Sequence, residues 1–303
     1  MKIGVVFPTT EIGTDPKAVS GFAQAAEELG YDHLLAYDHV VGAVPRSDAW
    51  QGYTVEDPFH EILTLLAFLA GQTQTIELAT GILILPQRQT VLIAKQAAEI
   101  DLLSRGRLRL GVGIGWNDVE YEALGMDWRT RGARMEEQVR VLRALWTNEV
   151  VTFRGRFHRI IDAGINPLPV QRPIPIWMGG ESDAVLRRVA RLADGWIPGG
   201  RLRSATATHP QFPGGYAGMI EKMREYAAKA GRDPMAIQLE RRVAYAAGPE
   251  RWRQALGEWQ ALGGTHFSIS TMQADLTSVE QHIEALRVFT AEVGGSPARP
   301  GRA

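Results

Sequence analysis

Short β-branched apolar runs alternate along this chain with longer segments whose apolar positions recur at helical spacing. Ile3–Phe7, His33–Ala36, Ile76–Ile84, Leu108–Val112, Ile174–Met178, Gly195–Ile197, Ile237–Ala246 and His266–Ser270 read as strands. Asp15-Pro16 is an N-cap followed by proline at the first helical position, so it opens a helix that runs to about Leu29, where Gly30 stops it. Asp57-Pro58 reads as the opening of the second helix in the same way. Further helices are predicted over Val91–Leu103, over a short stretch and then Arg131–Thr147, from Ser182, over Tyr216–Ala230, from Pro249 and over Val279–Val293.

Strand–helix pairs in this number predict an α/β fold, a (β/α)₈ TIM barrel spanning residues 1–293 as one domain. Its site must then lie in the loops that follow the strands. A doubly wound sheet is the structural competitor, but Pro8-Thr9-Thr10 after the first strand lacks that fold's phosphate-binding glycines. The periodicity breaks over residues 149–173, which read as an insertion, a hairpin and proline-rich loop between the fourth helix and the fifth strand. Residues 199–215 read as a mobile loop, and 294–303 as a frayed C-terminal tail.

Composition narrows the chemistry. There is no cysteine, which removes disulfides, thiolate nucleophiles and cysteine-ligated metals. The 7 histidines form no HExxH or HxH pair, so no metal site is expected. The net charge is -1 without a basic run, which argues against a nucleic-acid partner. The apolar run at the N-terminus is too short for a signal peptide, and Ile62–Ala70 is too short to span a membrane. A cytoplasmic protein acting on a small molecule is the expectation.

Several strand-end segments carry candidate chemistry. Gly111-Val112-Gly113-Ile114-Gly115-Trp116 follows the fourth strand, with Trp116 where a dinucleotide fingerprint needs its third glycine. These glycines can instead let a flat ligand approach the backbone, while Asn117 can bond a polar edge or cap the next helix. Gly179-Gly180-Glu181-Ser182 leads into a helix start that can cradle a phosphate, or can be simple turn chemistry. Asp38-His39 follows the second strand; His39 can orient a ring or donate a proton, and Asp38 can fix its tautomer or accept from a cofactor. Thr80-Gly81-Ile82 marks a bulge or a close approach within the third strand. Trp50, Trp116, Trp177 and Trp196 can line a ring pocket or lie in the core.

Taken in order, Tyr37-Asp38-His39, Ala79 to Pro86, Leu103-Ser104-Arg105-Gly106-Arg107, Gly111 to Asn117, Trp177-Met178-Gly179-Gly180 and Ala193-Asp194-Gly195-Trp196 resemble the luciferase-like monooxygenase family, in particular its F420-dependent branch. The resemblance implies a cofactor ring over a non-prolyl cis peptide, here Gly81–Ile82. Asp38 and Thr80 would lie beside the ring, with Gly113, Gly115, Trp116 and Asn117 along it. Gly179, Gly180 and Ser182 would hold the phosphate, and His39 would be the proton donor. A charged F420 tail would leave past Arg129, Arg131 or Arg134. F420 is the expected cofactor and FMN the alternative; the expected activity is hydride transfer to or from an activated C=C or C=O. An FMN-dependent monooxygenase and a cofactor-binding protein without turnover are the rival readings. A homodimer is also implied. The family's sugar-phosphate dehydrogenases carry a glutamate after these glycines where this chain has Trp116-Asn117, which points away from a sugar phosphate.

Overall fold

The computed structural model of the chain describes residues 1–46, 50, 52–199 and 211–293. Most of the expected mobile loop (200–210) and the whole expected tail (294–303) therefore lie outside the described residues. In chain order the strands are β1 (Lys2–Val6), β2 (His33–Ala36), β3 (Glu77–Thr80), β4 (Leu83–Ile84), β5 (Leu108–Gly113), β6 (Val151–Arg154), β7 (Arg159–Ala163), β8 (Ile176–Gly179), β9 (Gly195–Ile197), β10 (Gln238–Ala244) and β11 (His266–Ser270). The helices are α1 (Pro16–Glu28), α2 (Ile62–Gln72), α3 (Thr90–Leu103), α4 (Asp118–Ala123), α5 (Arg131–Thr147), α6 (Asp183–Leu192), α7 (Gly215–Lys229), α8 (Pro249–Ala261) and α9 (Val279–Val293).

Every barrel pairing is parallel, and the ring runs β1-β2-β3-β5-β8-β9-β10-β11 and back to β1. The expected third strand is split: β3 and β4 both pair with β5, and Gly81-Ile82 lies between them. This is the expected TIM barrel. The insertion is also where it was expected, with β6 and β7 forming an antiparallel hairpin between α5 and β8.

Local chemistry explains most boundaries. Asp15 accepts from the Lys17 N–H at 3.0 Å, a cap worth about 1 kcal/mol, and α1 buries Val19, Phe22, Ala23 and Ala26 on one helical stripe. The second helix corrects the sequence reading. Asp57 closes a turn by accepting from the Thr54 N–H at 2.7 Å, and Glu61 caps α2 through the Thr64 N–H at 2.8 Å. The apolar stripe that pays for a helix begins only at Ile62, and the residues before it form a loop over the barrel mouth.

The lumen is layered. At the N-terminal end, Glu240 is bonded to Ser268 (2.6 Å), His33 Nε2 (2.9 Å) and Arg109 Nη1 (2.6 Å), and Arg109 reaches Glu77 as well. Above this charged layer lies a small apolar plug of Leu35, Ala79, Trp177 and Ile197, with Ile82 packed on it. The Arg109 guanidinium stacks on the underside of the plug, 4.2 Å from the Trp177 ring. The mouth lies beyond the plug.

Candidate active site at the barrel mouth

His39 lies near the start of the loop that leaves β2. Its Nδ1 lies 2.9 Å from Glu120 Oε2, and the other Glu120 oxygen accepts from the Val40 N–H at 2.7 Å. Glu120 is fully buried on α4, the short helix after β5. A carboxylate accepting from Val40 can only accept from His39 too, so Nδ1 carries a proton and Nε2 is left toward the mouth. The His39 ring is walled edge-on by Phe59 (4.9 Å), Tyr53 (5.3 Å) and Trp116 (5.5 Å). Burial, with Tyr37 and Asp57 nearby, pushes the Tyr53 hydroxyl up to about 12, so it stays a neutral donor.

Asp38 does not hold His39. Arg88 grips it with both guanidinium arms at 2.7 and 2.8 Å, and the Ile84 N–H adds a bond of 2.8 Å. Burial pushes the Asp38 carboxyl up, against the pull of Arg88. Its oxygens are thus spent on tying the β2 loop to β4. The tautomer role expected of Asp38 belongs to Glu120.

Ile82 sits at the centre of the mouth. A Cβ on Gly113 would fall 2.7 Å from Ile82 Cδ1, and one on Gly179 would fall 2.7 Å from Ile82 Cγ2. The two glycines let Ile82 lie flat between β5 and β8, as an apolar floor. The Gly81–Ile82 bond is trans, which corrects the expected cis peptide; among the described residues the cis bonds are Asn166–Pro167 and Arg172–Pro173. The trans form is the ground state for a non-prolyl bond, and the Ile82 side chain is what presents an apolar surface at this point.

Other expected residues divide. Thr80 is fully buried and spends its hydroxyl on the Gly111 carbonyl at 2.6 Å, so it braces two strands below the floor. Gly115 turns with a φ of 67° against Ile84, which brings Trp116 over the mouth, 42% exposed and 5.5 Å from Trp50. Asn117 caps α4 through the Val119 N–H at 3.1 Å. Gly180 has a φ of 120°, and Ser182 caps α6 by accepting from the Val185 N–H, which leaves the first turn of α6 at the mouth's rim. Trp177 and Trp196 belong to the core. Arg134 is tied to the Pro86 and Asp127 carbonyls and Arg131 stacks on Trp128 at 3.6 Å, so neither is free to line a tail groove.

Three functional candidates escaped the sequence reading: Glu120, Arg88 and Arg242. Glu120 had a weak signal, an acid on a helix that starts right after the strand-end glycines. Arg242 lies two residues beyond Glu240 on β10, hence on the same inner face but above the plug. It donates to the carbonyls of Gly81 (3.3 Å) and Pro198 (3.0 Å), and lies 5.3 Å from the Tyr37 ring.

Residues 1–295 match the family described as luciferase-like monooxygenase. The chain belongs to that family. Within it, the chain is 37% identical over 203 residues to an uncharacterised protein of Mycobacterium tuberculosis, covering 64% of this chain and 69% of that protein. It is 31% identical over 260 residues to the F420-dependent glucose-6-phosphate dehydrogenase of Nakamurella multipartita, covering 82% of this chain and 69% of the relative. The F420-dependent tetrahydromethanopterin reductase of Methanopyrus kandleri superposes with a TM-score of 0.73 at 15% identity, covering 96% of this chain and 98% of that one, and it shares the fold. Among the described residues no helix is long and apolar enough to cross a membrane, and no group of side chains is arranged to hold a metal.

Proposed function

We propose that this luciferase-like protein is an F420-dependent oxidoreductase, moving a hydride between the deazaflavin and an activated C=C or C=O of a small organic substrate. The observation that carries the reading is the His39–Glu120 pair, set under an aromatic wall beside a glycine-framed floor. The residues fit a planar ring. The floor is flat only because two side chains are missing, and Gly179, Gly180 and Ser182 offer the α6 N-terminus to a phosphate. When bound, the deazaflavin supplies or accepts the hydride.

The chain's own residues do the rest. Ile82, Gly113 and Gly179 would support the ring, and Trp116, Tyr53 and Phe59 shield His39 from water. His39 Nε2 delivers the proton to the substrate atom left negative by reduction, or takes it in the reverse direction. Glu120 holds the imidazole in orientation and stabilises its charged form. Arg88 holds the loop through Asp38. F420 is preferred over FMN on the F420-dependent activity of a relative whose match covers 82% of the chain.

Quenching of tryptophan fluorescence by F420 and by FMN tests the cofactor; FMN saturation without an F420 response overturns the choice. Consumption of reduced F420 with a panel of enones and ketones then tests the reaction. Glu120→Gln is expected to lower kcat by about 10²-fold or more while KM and the F420 Kd stay within about twofold. An unchanged kcat in the folded variant would remove His39–Glu120 from the proton path.

A further inference from the structure

Among the described residues, the acidic groups around the mouth have partners of their own. Asp38 is matched by Arg88, and Glu120 by His39. Asp57 is held by the Thr54 N–H and hydroxyl, and Glu61 caps α2 while lying 3.6 Å from Arg88. Glu11 accepts from the Gln273 N–H at 2.8 Å and lies 3.5 Å from His282. Arg242 is different. Among the described residues no carboxylate lies within ion-pair distance of its guanidinium, which bonds to two neutral carbonyls and to the Tyr37 side chain.

A guanidinium keeps its charge at any working pH. Half-buried at the top of the lumen, it stands one inward step along β10 beyond Glu240 and above the apolar plug, so Glu240 acts on it through space without pairing with it. A cation in that position favours an anionic ligand, and the two carbonyls hold its fork fixed rather than neutralise it. Tyr37, under the guanidinium, leads from it along the β2 loop to His39, and Tyr53 feels the same cation while packing on His39 and Phe59. A ligand bridging these groups needs an acidic end and a flat apolar body.

Resting on the reading of this mouth as the redox site, we propose that Arg242 is its specificity-determining residue and selects substrates carrying a carboxylate on a flat or aromatic body. The carboxylate would sit on the guanidinium and place the reducible carbons toward His39. Uncharged analogues of equal shape would lose the charge-assisted bonds and bind more weakly.

Benzoate and benzamide form a matched probe pair, and ligand-observed NMR on the intact protein without cofactor reads their affinities. Wild type is expected to prefer benzoate by tenfold or more, Arg242→Gln to erase the preference, and Arg242→Lys to retain part of it. Equal binding of the two probes by wild type, binding of neither, or a preference that survives in Arg242→Gln overturns the proposal. F420 titration of the same variants separates the two readings. A wild type that ignores F420 but prefers benzoate defeats the redox assignment alone. A loss of F420 affinity in Arg242→Gln with the benzoate preference intact makes Arg242 a cofactor residue and overturns the substrate role.

Discussion

The floor under the proposed ring site can be raised by a single methyl group. Neither Gly113 nor Gly179 has a positive φ, so alanine is allowed by the backbone and only space decides the outcome. The added Cβ would stand 2.7 Å from Ile82 in either case, roughly an ångström short of ordinary carbon–carbon contact near 3.5–4.0 Å. Ile82 cannot sink, because Leu35, Ala79, Trp177 and Ile197 fill the lumen below it. It can only rise into the mouth. Overpacking of this kind costs about 1–3 kcal/mol of stability, and the low end is expected since Ile82 is only half-buried. Binding suffers more, because the ring would need the volume that Ile82 now occupies.

Gly179→Ala is therefore expected to weaken F420 binding by about 10-fold or more, equivalent to roughly 1.4 kcal/mol. Ile82→Ala in the same chain should restore much of that loss, since the methyl then has nothing to strike. The double-mutant cycle should show a favourable coupling of about 0.5–3 kcal/mol, read by fluorescence titration for binding and by urea unfolding for stability. If Gly179→Ala binds the cofactor like wild type and the coupling energy is zero, Ile82 is not the floor of the site.

Arg88→Met should destabilise the fold by about 3–5 kcal/mol in urea unfolding, because it strands a buried Asp38 carboxylate, and Arg88→Met/Asp38→Asn should recover part of that loss. Acid should also act through the lumen. Burial and then Arg109 depress His266 from 6.5 to about 3, so the unfolded chain takes up a proton that the folded chain refuses. Stability is then full above 6.5 and falls as pH drops from 6.5 toward 3, with a slope approaching about 1.4 kcal/mol per pH unit. Burial alone would raise Glu77, but Arg109 holds it down to about 2, which adds a loss of the same sign between 4.5 and 2. Urea midpoints at a series of pH values check this, and a flat curve between pH 6 and pH 4.5, or one that His266→Phe leaves unchanged, would contradict it.

What the sequence disclosed was local. Asp15-Pro16, the run His266–Ser270 and the span Val279–Val293 sit where their own chemistry places them, since caps, turns and periodicity act over a few residues. The start of α2 was misplaced because Asp57-Pro58 and Glu61 are both credible openings, and only the burial of Ile62 and its neighbours against the barrel chooses between them. Glu120 shows the harder case. Asn117-Asp118-Val119-Glu120 reads as a capped first turn, where an acid normally faces water. Its burial makes sense only once the barrel brings it to His39, 81 positions earlier in the chain.

The same physics accounts for the charges of β10. Leu239-Glu240-Arg241-Arg242 is a poor sequence for a strand buried on both faces, and each charge needs a partner supplied by barrel closure. Glu240 finds Arg109, 131 positions away, and Arg241 turns outward to Glu258 on α8. Arg242, among the described residues, meets two carbonyls and Tyr37 but no carboxylate within ion-pair distance. Among the described residues the other charges on this strand meet opposite charges, and the alternating pattern of β10 puts Arg242, rather than Glu240, above the plug, where the proposed carboxylate can reach it.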